Sequence, residues 1–150
     1  MRVIIQRVSR ASVTVSQNKI AEIGKGLLVL AGFEASDAEE DFEWMASKII
    51  KLRIFPDQNG VMNISAEDTN AEILIVSQFT LHASTKKGNR PSYFRSSPPE
   101  LAKTQYEIFV KVLQNKYISP IQFGEFGADM KVELLNDGPV TIWVDSKNKE

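Results

Sequence analysis

His82 is the one histidine in this chain, and there is no cysteine. Those two counts remove thiol nucleophiles, disulfides, iron–sulfur clusters and every zinc site built on cysteines or on several histidines of one chain. A serine or threonine nucleophile activated by an imidazole must therefore use His82. Ser77 and Thr80 stand at the end of the apolar run Ile73 to Val76, with His82 two residues beyond Thr80. On extended backbone that spacing puts Thr80 and His82 on one face. A Thr–His dyad is one reading. An exposed loop histidine without a catalytic part is the other, since nothing like a G-x-S-x-G elbow surrounds the pair.

Two segments resist a purely structural reading. Ser77-Gln78-Phe79-Thr80-Leu81 sets three polar side chains where a buried strand emerges. Asn136-Asp137-Gly138-Pro139-Val140-Thr141 sets proline directly after glycine between two strands. An X–Pro bond reaches the cis form for about 0.5–1 kcal/mol and then aims its carbonyls where a trans turn cannot. A plain hairpin with a proline-blunted strand start explains the same residues. Other patterns are weaker: Gly24-Lys25-Gly26 lacks phosphate-loop spacing, and Gly124-Glu125-Phe126-Gly127 has no helix after it. The acids at 37–43 read as stabilisers of a helix N-terminus rather than as metal ligands.

The elements that position these segments follow from hydrophobic periodicity. Val3 to Val8 and Ala11 to Val15 read as strands, then Ile20 to Ile23, and Leu27 to Phe33 as a central, fully buried one. Ser36 and Glu39 have capping-box spacing, and Phe42, Met45, Ala46, Ile49 and Leu52 mark an amphipathic helix over about 37–51. Glu72 to Phe79 is another buried strand, followed by a long polar, basic loop from Thr80 to Tyr93. Ser97-Pro98-Pro99-Glu100 opens a second helix that ends near Lys116. Met130 to Leu134 and Val140 to Val144 are late strands on either side of the Gly-Pro turn. The fold class is α+β: a mostly antiparallel sheet or barrel with two main helices packed outside.

A chain of 150 residues with 43% hydrophobic and 25% charged residues has the make-up of a single globular domain. Its apolar runs fall far short of the ~20 residues of a membrane span, and Met1 to Arg7 breaks too early for a signal peptide. A cytoplasmic protein is expected, with no membrane partner. Net charge is −1, yet residues 1–20 and 85–97 carry cations without a single acid. Two solvated surfaces account for this, as does one face that docks a phosphate backbone.

At these residues the chain resembles the D-aminoacyl-tRNA deacylase family, small homodimeric enzymes that hydrolyse D-amino acids from tRNA. The likeness spans Gln6-Arg7-Val8, Ile23 to Val29, Lys48 to Phe55, Val76 to Leu81, Lys87 to Ser92, Phe126 to Met130 and Asn136 to Thr141. Only the tail after Asp145 is left unplaced, and disorder is the expectation there. The resemblance implies an enzyme without a protein nucleophile, cofactor or metal, in which the 2′-hydroxyl of the terminal adenosine helps to activate water. It implies that Ser77, Gln78, Phe79 and Thr80 form the pocket floor, with backbone amides stabilising the oxyanion. It further implies that a cis Gly138–Pro139 pair enters the partner subunit's pocket and rejects L-substrates, with Phe126 and Met130 on the adenosine side.

Charge alone nominates Lys86, Lys87 and Arg90 for the tRNA backbone. The expected partners are D-aminoacyl-tRNA, glycyl-tRNA and a second copy of the chain, and not DNA. Glycyl-tRNA joins them because a wall that works by collision has nothing to strike in glycine. Two other readings stay open, a non-catalytic RNA-binding β-barrel and a Thr–His esterase. Because zinc would need an uncommon, mostly carboxylate shell here, deacylation should survive exhaustive chelation. Stoichiometric metal in active, dialysed protein would count against that expectation.

Overall fold

The computed structural model describes residues 1–150. Strand β1 (Arg2–Val15) is a single ribbon where the sequence suggested two strands, and it touches three others. One edge pairs antiparallel with β3 (Gly26–Gly32) and then with β2 (Asn18–Ile23); the other pairs with β8 (Met130–Asp145) along its length. Strand β8 likewise runs through the Gly-Pro segment instead of stopping there, with register breaks between Gln6 and Val8 and between Val8 and Arg10 of β1. Helix α1 (Glu39–Lys51), the small hairpin β4 (Phe55–Pro56) with β5 (Met62–Ile64), and the one-turn helix α2 (Ala66–Thr69) lead to β6 (Glu72–Ser77). A 3₁₀ turn (Phe79–His82), helix α3 (Pro99–Lys116) and strand β7 (Ile121–Phe123) precede β8.

The sheet order is β2-β1-β3-β6-β7, and β2 comes back beside β6 and β7, so the sheet nearly closes into a barrel. The expected antiparallel pairing holds around β1. The β3–β6 and β6–β7 pairs are parallel, because a helical crossover returns the chain in the same direction each time.

Both faces of β3 and β6 are covered, which is why their sequences are apolar without alternation. Leu27, Val29, Ala31, Ile73 and Ile75 face the helices, where they join Phe42, Met45, Ile49, Phe109 and Leu113. Leu28, Leu74 and Val76 face the other way, into a smaller cluster with Val8, Val13 and Ile23 inside the curled sheet. Phe33 meets Phe42, Tyr106 and Phe109 edge to face, with centroids 5.9, 6.3 and 6.2 Å apart, and ties α1 and α3 to the end of β3.

The two expected caps are replaced. Helix α1 starts after Ala38, whose amide donates to the Asp41 carboxylate, while Asp37 binds the chain-terminal amine. Ser97 does not cap α3; its hydroxyl donates to buried Gln105 at 2.6 Å. The tail stays attached past Asp145: Ser146 is buried and its Oγ accepts from the Met1 amine at 2.9 Å. Lys147 donates to Asp41 at 2.6 Å. Burial alone would raise the Asp41 carboxyl, but the Ala38 amide and Lys147 outweigh it and hold the group down at about 2.

Gly26 sits where β3 meets β6, and a Cβ there would lie 2.0 Å from the Glu72 carbonyl oxygen. Gly26→Ala is therefore expected to prise the parallel pair apart and to cost about 1–3 kcal/mol or more. Denaturant midpoints compared with those of a Lys25→Ala control would measure it, and an unshifted midpoint would refute it.

Candidate active site

The carboxyl ends of β3 and β6 open into a cavity of about 750 Å³. Its walls come from five places: the end of β3 (Ala31–Phe33), the end of β6 with the 3₁₀ turn, the 93–97 segment, the first turn of α3, and the chain from Phe126 into β8. Ligand crevices in sheets with parallel strands gather at such strand ends, where chain direction changes. Gly32 keeps the inner wall close, since a Cβ would lie 2.7 Å from the Gln78 carbonyl oxygen.

Ser77, Gln78, Phe79, Phe126 and Met130 all line this cavity, so five of the residues singled out by sequence meet there. Thr80 stands just behind them, its Oγ1 accepting from Gln78 Nε2 at 2.6 Å. The Gln78 amide donates to the Ala31 carbonyl at 2.7 Å, which fixes the start of the turn against β3. The amides of Phe79 and Thr80, at the head of the 3₁₀ turn, donate to no backbone or side-chain acceptor.

His82 departs from both sequence readings. It is neither an exposed loop residue nor half of a dyad: it is fully buried, and neither ring nitrogen has a hydrogen-bond partner. The reason is local. Residues 79–82 form a 3₁₀ turn, so positions two apart point in different directions, whereas on a strand they would share a face. Burial pushes the imidazole below its ordinary range, the Gly32 backbone beside the ring and Glu34 oppose this, and Arg2 and the terminal amine act with it.

Gly138 and Pro139 do not line the cavity of their own chain. Both are exposed on β8, and the bond between them is cis. The segment is clamped from beneath. Arg7 Nε donates to the Asp137 carbonyl at 3.0 Å and its Nη1 to the Ile54 carbonyl at 2.6 Å, while the Asp137 carboxylate lies 3.2 Å from Nε. From the other side Asn136 Oδ1 accepts the Val140 amide at 2.9 Å. Lys86, Lys87 and Arg90 are exposed, free of ion pairs and outside the cavity wall, on a loop closed by paired bonds between Ser84 and Ser92.

Sequence reading placed Arg7 in the family likeness without a structural role, and it passed over Tyr93. Arg7 carried a signal, since it shares the inward face of β1 with Val3 and Ile5, where an arginine must be paired. Tyr93, which lines the cavity and meets Phe79 edge to face at 5.0 Å, carried none, because only the folded path of the loop returns it.

The model of the family described as D-Tyr-tRNA(Tyr) deacylase matches residues 4–145, and the chain belongs to that family. A D-aminoacyl-tRNA deacylase of Flavobacterium johnsoniae is 63% identical over the full length of both chains, and one of Parabacteroides distasonis is 58% identical over the full length of both. Among solved structures, one described as c-Myc DNA Unwinding Element Binding Protein is 43% identical with a TM-score of 0.93, covering 97% of this chain and 98% of that one. Another, described as a probable eukaryotic D-amino acid tRNA deacylase, shares the fold with a TM-score of 0.81 at 17% identity, covering 95% and 97%.

The buried, neutral His82 implies a pH-dependent stability with a definite sign. Unfolded chain takes up a proton below about pH 6.5, the ordinary histidine value, while the folded chain resists it. Stability is thus fully present above that value and falls as the solution is acidified. Thermal midpoints measured from pH 7 to pH 5 should drop in the parent and drop less in His82→Leu; parallel curves would overturn the assignment.

Proposed function

We propose that this chain hydrolyses the ester of D-aminoacyl-tRNA, releasing free D-amino acid and tRNA. One observation carries the reading beyond the family: two successive backbone amides, those of cavity-lining Phe79 and of Thr80 beside it, are left without an acceptor. Thr80 is tied to Gln78, and His82 is sealed with no partner. A site of this kind can stabilise a developing oxyanion. The proton acceptor in this reading comes from the substrate, as the 2′-hydroxyl of the terminal adenosine.

In this reading Ser77, Gln78, Phe79 and Thr80 form the floor on which the ester carbonyl rests, and Phe126 and Met130 flank the adenosine. Lys86, Lys87 and Arg90 meet the tRNA backbone. Gly138 and Pro139, clamped by Arg7 and absent from their own cavity wall, serve the cavity of a second copy, so the working unit is a homodimer. Backbone atoms in that position block an L side chain and leave a D side chain pointing to solvent. Glycyl-tRNA, with no side chain to block, is cleaved too. No cofactor or metal enters the scheme.

The second reading is a nucleic-acid binder without turnover, favoured by the unpaired cations of the 84–92 loop and by the description of the 43% identical structure. Turnover separates the two. D-aminoacyl-tRNA should be deacylated far faster than its L counterpart at matched enzyme concentration, and tRNA ending in 2′-deoxyadenosine should be cleaved poorly. Thr80→Ala and His82→Leu should each keep substantial activity. A loss of ~10²–10⁴-fold in either would reveal a general base and end the substrate-assisted scheme. Pro139→Ala should relax the bias against L-aminoacyl-tRNA or abolish activity; unchanged discrimination would remove the cross-subunit filter.

A further inference from the structure

Phe94 is the most exposed of the eight phenylalanines, at 79%, and the next is cavity-lining Phe79 at 56%. A ring so placed in a loose loop would mean little, but this one is held. It lies at the tip of a tight turn in which the Ser96 amide donates to the Tyr93 carbonyl at 2.9 Å. Both shoulders of that turn are fastened to the cavity. Tyr93 packs its ring on Phe79, and Ser96 Oγ donates to the Phe79 carbonyl at 2.8 Å. One residue further, the Ser97 amide donates to the Phe33 carbonyl at 2.9 Å. Tyr93 and Ser96 line the cavity, and Phe94 between them is not part of its wall.

The surroundings name the occupant. Residues 85–97 carry Lys86, Lys87, Arg90 and Arg95 and no acid, and only Arg95 has a partner, Glu34 at 3.8 Å. A fixed aromatic face beside unpaired cations is the equipment of a single-stranded nucleic-acid platform: the ring stacks on a base and the cations follow the phosphates. We infer that Phe94 stacks on a base of the unpaired nucleotides just before the terminal adenosine, while the loop cations hold their phosphates. The inference rests on the reading of the cavity as the seat of an aminoacyl-adenosine end. It adds that the enzyme grips its substrate one step outside the reacting nucleotide.

Two substrates test it, D-aminoacyl-tRNA and the minimal D-aminoacyl-adenosine ester. Phe94→Ala should raise KM for the tRNA substrate about 5- to 100-fold, the size of one lost base–aromatic stack, with kcat little changed. It should leave the adenosine ester unaffected. Phe94→Trp should restore the parent KM, and the log–log salt slope of tRNA binding should stay as in the parent, unlike that of Lys87→Ala, Arg90→Ala. An unchanged KM for tRNA would overturn the inference. So would equal losses on both substrates accompanied by a shift in sedimentation, which would assign Phe94 to contact with a second copy. If the parent protein cleaves neither substrate, the functional reading itself fails, a result distinct from both.

Discussion

The guanidinium of Arg7 is the constraint on which the arrangement turns. It is nine-tenths buried under the sheet, and a buried cation without partners is costly enough that the fold must supply them. It does so from two distant places, the carbonyl of Ile54 after α1 and the carbonyl and carboxylate of Asp137 in β8. Because β1 breaks register with β8 just there, Asp137 can swing its backbone inward and Gly138 and Pro139 outward. A Cβ on Gly138 would come within 2.9 Å of the Arg7 Nη2 atom, so the residue that follows Asp137 must be small as well as permissive at φ +133°. One ion-dipole cluster thereby fixes both the bend of the central strand and the presentation of the Gly-Pro segment.

The cavity depends on a second consequence of the same strand order. Strand β3 lies between β1 and β6, so its two edges are saturated and its two faces covered. Neither β3 nor β6 can move independently, and their carboxyl ends form a fixed rim. From that rim the chain leaves through Gln78, whose amide stays bonded to Ala31, and enters a turn too tight to satisfy its first amides. The unengaged donors at Phe79 and Thr80 follow from a 3₁₀ start against a rigid strand end, with no specialised side chain required.

Much of this was legible in the residues. The unbroken apolar runs at 27–31 and 73–76 identified the doubly covered strands, and the spacing of Phe42, Met45 and Ile49 and the proline-led start at 97–100 identified the two long helices. The polar residues 77–80 and the Gly-Pro pair marked the unusual segments. What failed to show were features set by tertiary partners. Ser36 and Ser97 have the spacing of caps, but Asp37 is drawn to the chain-terminal amine and Ser97 to Gln105. His82 looked exposed because the loop around it is polar, yet the 3₁₀ turn rotates it beneath β3. The parallel pairing of β3, β6 and β7 is a property of crossovers, which no local pattern encodes.

The chemistry that remains open to the cavity is limited by what its neighbours have already committed. Tyr106 packs against Phe126 and Phe33; burial pushes its phenol up to about 12, and it donates to the Ile75 carbonyl, so it stays a neutral donor turned inward. Gln105 spends its amide on Glu34 and its oxygen on Ser97, and Asp129 at the mouth is paired with Lys131. Tyr106, Gln105 and Asp129 are thus each already partnered, and most of the lining surface is apolar. Where a bound substrate excludes water from such a lining, a backbone amide would act more strongly on a developing negative charge than at an exposed surface. The absence of imidazole and thiolate from the floor is then coherent with the rest of the design. A general base there would have to be desolvated on binding, whereas a backbone amide keeps its N–H across the physiological pH range and carries no net charge to bury.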